Sequence, residues 1–160
     1  MSNKKRYWHE IVGFNYRMTN LQAAVGVAQM ERFEKIIDKK REIFNFYNDN
    51  LLNLKGISKM PFNSNNLYNS SWLYTLILDS SIDRDKLINK LNQLGIELRP
   101  SFCSLSEMPP YKNFRKSLNL NNSYLLSKNG VSLPSSIMLN KIQLKFIVQS
   151  FSNVLKNNLR

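Results

Sequence analysis

Met30, Ile37, Phe44 and Leu51 recur at intervals of seven residues, with Phe33 and Tyr47 between them, and this stripe constrains the chain more than any other feature. Such spacing puts all six side chains on one face of an α-helix, where they must find cover. A start signal precedes the stripe. Thr19-Asn20-Leu21-Gln22 has capping-box spacing, with Thr19 accepting from the Gln22 N–H and Gln22 reaching back to the Thr19 N–H. Gly56 and Pro61 stop the pattern, so the spacing predicts one long helix, straight or kinked, from Thr19 to about Leu54. Its first two turns carry Ala23, Ala24, Gly26 and Ala28, small side chains that let another backbone approach closely. A tight packing contact is expected there, within the chain or between subunits.

Beyond this helix, short strands alternate with further helices. After a polar loop over 63–71, "SWLYTLILD" is apolar and β-rich enough for a strand buried on both faces. Asp83 can cap a helix whose inner face is Leu87, Ile88, Leu91 and Leu94, with Gly95 just past its end. "IELRP" reads as a short strand closed by Pro100. Residues 101–119 read as irregular, with Pro109-Pro110 barring helix. A short helix in "NSYLLSKNG" ends at Gly130, "VSLPSS" is extended, and Asn140 can cap a last helix with Leu144, Ile147, Val148, Phe151, Val154 and Leu155 on one face. The expected class is therefore α+β, a layer of helices against a small sheet.

Composition narrows the chemistry. At 160 residues the chain can bury roughly 70% of its unfolded surface as one domain. No run of ~18 apolar residues could cross a bilayer, no apolar stretch follows the basic N-terminus as in a secretory signal, and the single cysteine, Cys103, fits a reducing cytoplasm. A half-buried free thiol is the plain reading of Cys103. The net charge of +12 raises nucleic acid as a partner, but the basic residues are scattered and no RNA- or DNA-binding motif accompanies them. Whether Lys39, Lys40, Arg41, Lys86, Lys90 and Lys145 share one face separates a nucleic-acid groove from a merely solvated basic surface. No metal-ligand cluster, carboxylate pair, glycine-rich phosphate loop or nucleophile elbow is present, and His9 is the only histidine. Residue physics alone stops at a basic α+β domain.

"YWHEIVGFNYRMTNLQAAVGVAQMERF", residues 7–33, closely resembles a segment of the DegT/DnrJ/EryC1/StrS family of pyridoxal phosphate-dependent aminotransferases, which act on nucleotide-linked keto sugars. "RDKLINKLNQLGIELRP", "MPPY" and "GVSLPSS" continue the resemblance in the family's order, over roughly residues 6–157. The resemblance implies the small C-terminal α+β domain of a fold-type-I aminotransferase, with a long linking helix and a short sheet covered by helices. Residues 1–18 would be an active-site loop of the large domain, 19–56 the interdomain helix and 57–160 the small domain. By the same resemblance the large domain, with the cofactor-binding lysine and the carboxylate at the pyridinium nitrogen, would lie before the matched segment and is expected to be absent from this chain.

The same resemblance implies residue roles. Asn15, in the Gly-x-Asn-x-Arg loop, would bind the cofactor phosphate of a neighbouring subunit; a turn residue tolerant of left-handed geometry is the plain alternative. Tyr16 and Arg17 would face the substrate, with a purely structural salt bridge the alternative for Arg17. Arg99, in the family's "RP", would border the sugar-nucleotide cleft. Where relatives read "RPxFxPLHxxPxY" this chain has "RPSFCSLSEMPPY", so Ser104 replaces the proline and Ser106 the histidine, removing an imidazole from the substrate-binding side. No lysine falls in a catalytic motif and no catalytic residue is assigned. The implied object is part of a dimeric cytoplasmic enzyme of polysaccharide-sugar synthesis, inactive alone and completed by its own or a separately made N-terminal half. It should then expose an apolar patch where that half docks. The alternative is a non-enzymatic basic domain binding nucleic acid or a protein partner.

Overall fold

The computed structural model describes residues 2, 5–58, 69–114 and 119–158. The expected polar loop at 63–71 and the Pro61 stop lie largely or wholly outside them. The stripe that predicts one helix forms two, α1 (Asn20–Met30) and α2 (Phe33–Leu51). Arg32 leaves helical values, at φ −108° and ψ 8°, and its N–H turns to the Gln29 carbonyl three residues back. A tightened last turn of this kind closes a helix end where no side chain caps the backbone. Burial grows along the stripe past the break: Phe33 is still 43% exposed and Ile37 half-covered. Tyr47 and Leu51 are fully buried, whereas Met30 stays 63% exposed. No residue of α1 is buried, so the tight contact expected on its small-residue face is not made among the described residues.

Four short strands form one antiparallel sheet: β1 (Ile57–Ser58), β2 (Tyr74–Leu78), β3 (Arg99–Pro100) and β4 (Gly130–Leu133), in the order β1-β2-β4-β3. Tyr74 faces Leu133, Leu76 faces Val131, and Arg99 faces Ser132. The apolar run of β2 predicts burial on both faces, but only Tyr74, Leu76 and Leu78 are buried, with Thr75 and Ile77 half-covered. The strand buried throughout is β4, which lies between β2 and β3. Thr75 and Ser132 hydroxyls meet at 2.9 Å across the second face.

Helices α3 (Arg84–Gln93) and α5 (Lys141–Asn158) pack on each other, and α2 packs on α5. Leu87, Leu91, Leu144, Phe151 and Leu155 meet Tyr47, Leu51 and the sheet in a single core. The termini follow the sequence signals. Asp83 accepts from the Lys86 N–H at 2.9 Å, and Gly95 takes φ 78° so that its own N–H and that of Ile96 bond Asn92 and Leu91 carbonyls, both at 3.0 Å. Asn140 and Gln143 cap α5 reciprocally, at 2.9 and 3.0 Å. α4 (Asn121–Asn129) runs directly into β4 at Gly130, where an added Cβ would lie 2.5 Å from the Leu126 carbonyl oxygen. The segment read as irregular holds two 3₁₀ turns, Leu105–Glu107 and Pro109–Phe114. Pro109-Pro110 opens the second of them, because a first helical turn needs no N–H from its leading residues.

Candidate functional site

The loop before α1 is built by two adjacent local motifs. Asn15 Oδ1 accepts the Arg17 N–H at 2.9 Å, and Arg17 takes φ 64°. Left-handed backbone at a residue with a Cβ costs ~1 kcal/mol, and the side-chain-to-backbone bond offsets it. Two residues later Thr19 opens α1 with both capping-box bonds, Gln22 N–H to Thr19 Oγ1 at 3.3 Å and Thr19 N–H to Gln22 Oε1 at 2.8 Å. The Asn15 carbonyl oxygen is thereby committed to the loop, while its Nδ2 meets no acceptor among the described residues. A neutral amide donor held this way fits a phosphate oxygen. Phe14 and Tyr16 stand 85% and 88% exposed, and His9 is exposed.

Upstream, residues 5–8 are tied to the sheet edge. Arg6 pairs with Glu97 at 3.1 Å, the Tyr7 ring lies 4.6 Å from that of Phe102, and Phe102 stacks on Trp72 at 6.3 Å. The half-buried Cys103 thiol points to the Arg6 carbonyl.

Arg99 sits on β3, with Nε 3.9 Å from Glu97, at an open groove of about 570 Å³. Lys40, Trp72, Ser135 and Gln143 line the same groove. Lys40 Nζ donates to the Trp72 and Ser135 carbonyls at 2.9 and 2.5 Å, stitching α2 to the ends of β2 and β4, and burial pushes its pKa below the usual lysine range. Ser106 lines a different groove of about 530 Å³, where its hydroxyl meets those of Ser104 and Tyr124. Asn15, Tyr16 and Arg17 line neither. The structure thus groups the loop residues with one another, and separates them from Arg99 and Ser106.

Sequence reasoning does not single out Lys40 or the hydroxyls around Ser106 as site groups. A signal for Lys40 exists: it falls three residues after Ile37 and four before Phe44, in phase with the apolar stripe. Its neighbours Lys39 and Arg41 pair with Glu42 and Asp38, so the basic run of α2 is divided among separate partners. Among the described residues no three of His, Cys, Asp and Glu cluster as metal ligands, and no helix is long and apolar enough to cross a membrane.

Residues 1–152 match the DegT/DnrJ/EryC1/StrS aminotransferase family. The chain is 41% identical to GDP-perosamine synthase of Vibrio cholerae over 93% of its own length and 41% of that protein's. With GDP-perosamine synthase of Caulobacter vibrioides it shares 33% identity over 97% of this chain and 42% of the other. The chain therefore spans about two fifths of the relatives it matches. Spr1654 of Streptococcus pneumoniae, a candidate sugar aminotransferase solved in its PLP form, superimposes with a TM-score of 0.76 at 21% identity, over 89% of this chain and 37% of that one. Fold and sequence agree: this chain belongs to the DegT/DnrJ/EryC1/StrS aminotransferase family.

Proposed function

We propose that the chain is the small-domain portion of a pyridoxal phosphate-dependent aminotransferase that moves an amino group from glutamate to a nucleotide-linked 4-keto sugar, with a GDP-linked sugar foremost, in polysaccharide or O-antigen synthesis. The observation that supports this reading is the 41% identity to a GDP-perosamine synthase across 93% of the chain. The complete unit is a cytoplasmic dimer in which the family's large domain, on the same or a separate polypeptide, supplies the lysine and the carboxylate that hold the cofactor ring. On its own this chain does not transaminate.

When bound, pyridoxal phosphate supplies the electron sink through which an amino group leaves one carbon and joins another. This chain's part is binding and orientation. Asn15 donates its Nδ2 proton to a cofactor phosphate oxygen of the neighbouring subunit, adding no charge beside a dianion. Arg17 offers a rigid fork of donors to the substrate's phosphates, and Tyr16 a ring and a hydroxyl beside it. Arg99 borders the nucleotide-sugar cleft, and Ser106 presents a hydroxyl where relatives carry an imidazole. The exposed apolar run from Ile11 to Met30 is the surface on which the large domain docks.

The test is to mix the purified chain with the separately produced large domain of the Vibrio cholerae relative, pyridoxal phosphate, glutamate and a GDP-linked 4-keto sugar. Amino-sugar and 2-oxoglutarate formation in the mixture only, reduced ~10-fold or more by Asn15→Ala, is the expected result. If the large domain becomes active with its own small domain but never with this chain, the reading fails.

A further inference from the structure

Residues 5–8 hold their own shape and touch the body of the chain lightly. The Ser2 N–H donates to the Trp8 carbonyl at 2.8 Å and the Trp8 N–H to that of Lys5 at 3.3 Å, while the Lys5 ammonium lies 4.2 Å from the Trp8 ring centre and the Arg6 guanidinium 5.4 Å from that of Tyr7. The outward contacts are of weak kinds. Arg6 and Glu97 pair through side chains 41% and 65% exposed, the Tyr7 and Phe102 rings are tilted at 52°, and the Cys103 thiol reaches the Arg6 carbonyl only at 3.8 Å. Against them stands Tyr7 at φ 61°, a left-handed backbone that a residue with a Cβ disfavours. A braced unit held this way is suited to dock and release as one piece.

Glu97 stands where such a release acts. Its single oxygen Oε1 faces two guanidinium groups: Arg6 Nη1 at 3.1 Å, within hydrogen-bond distance, and Arg99 Nε at 3.9 Å, beyond it. Among the described residues, Arg6 and Arg99 are the cations that Glu97 meets. Arg6 lines a groove of about 710 Å³, whereas Glu97 and Arg99 line the one of about 570 Å³ beside Lys40. We propose that residues 5–8 are a releasable strap, and that Arg6 and Glu97 are positioning residues for Arg99. With the strap docked, Arg6 holds the carboxylate and the Arg99 Nε–H is left to the groove. With the strap released, Glu97 loses its nearer cation, closes on Arg99 and withdraws that guanidinium from the groove. That Arg99 has a ligand to reach rests on the proposed function; the exchange of partners at Glu97 does not.

Two readouts on the whole chain test it. Cys103, the single cysteine, reports release through its rate of reaction with N-ethylmaleimide, a neutral reagent. Tyr7→Asn removes the ring but keeps a residue tolerant of left-handed backbone, and should raise that rate about 5-fold. The Arg99 Nε–H resonance in NMR reports the exchange. Arg6→Ala and Tyr7→Asn should both move it downfield as a hydrogen bond to Glu97 forms, and adding Glu97→Gln to either variant should cancel most of the shift. Arg6→Lys, which keeps the charge, should hold the resonance near its wild-type position. A strap that only braces the fold would change the thiol rate without moving Arg99. An Arg99 resonance that stays put in both Arg6→Ala and Tyr7→Asn, or a Cys103 rate unchanged by Tyr7→Asn, overturns the inference. Neither readout uses the large domain, so failure here and failure of transamination in the mixture are separate results.

Discussion

Two stretches of this chain carry similar apolar content and meet opposite fates. In α5, Leu144, Phe151 and Leu155 are at most 1% exposed, covered by α2, α3 and the sheet. Between residues 11 and 30, Ile11, Val12, Phe14, Met18, Leu21, Val25, Val27 and Met30 are all at least 62% exposed. The difference does not lie in the helix-forming signals, since α1 has the complete capping box. It lies in whether the chain provides a second surface. An apolar face is only a demand for cover, and here one half of the stripe is met from within while the other meets no cover among the described residues.

Truncating the covered side is the harshest test of that contrast. Phe151→Ala should cost ~3–5 kcal/mol in urea denaturation, through lost burial and an unfilled cavity. Leu21→Ala should shift the same curve by no more than ~0.5 kcal/mol, and a comparable loss there would mean that α1 packs on the chain in solution. Burying α1 against a large domain should reverse this, making Leu21→Ala weaken the mixture while sparing the isolated chain.

A pH experiment sharpens the contrast at intermediate cost. The Tyr47 hydroxyl donates to the Pro134 carbonyl at 2.7 Å and the Tyr74 hydroxyl to Asn48 Oδ1 at 3.0 Å, and burial raises both pKa values far above the ordinary tyrosine range. Because the folded pKa values exceed the unfolded ones, their contribution is fully present below pH ~10 and is lost as pH rises above it. These two tyrosines should ionise only together with alkaline unfolding, followed by absorbance near 295 nm. Tyr47→Phe should lower stability by ~1–2 kcal/mol, since the Pro134 carbonyl loses its donor. The smallest effect should come from Thr19→Ala. It removes one cap bond, worth ~1 kcal/mol to α1 locally, so hydrogen exchange over residues 20–30 should speed up with little change in the urea midpoint.

These contrasts also explain how much of the molecule is legible in its sequence. Signals confined to a few neighbouring residues carry through to the structure: Thr19 with Gln22, Asp83, Gly95 and Asn140 all act as their spacing implies. The α+β class, the β2 and β4 strands, the α5 face and the Leu87, Ile88 and Leu91 face of α3 follow from periodicity; Leu94, expected on that face, caps the helix and is half exposed. The break at Glu31-Arg32 does not, because the heptad continues through it, and the cover that Tyr47 and Leu51 find has no counterpart around α1 among the described residues. The group of hydroxyls around Ser106 is equally hidden, since Ser106 and Tyr124 are brought together by folding and serine has no periodic signature. Pro109-Pro110 misleads for a different reason: proline forbids the middle of a helix but not the opening of a 3₁₀ turn.

The interruption between α1 and α2 has a mechanical side. α1 is rigid along its eleven residues, roughly 16 Å. Because the Asn15 turn is spliced onto the capped end with only Met18 intervening, Asn15 is carried by α1 as a pointer is carried by its arm. A tilt of about 10° at Glu31-Arg32 displaces the far end of such an arm by ~3 Å, the length of a hydrogen bond. The aim of the Asn15 amide is therefore set less by the loop's own bonds than by whatever grips α1, so that seating the helix and aiming the amide become a single event.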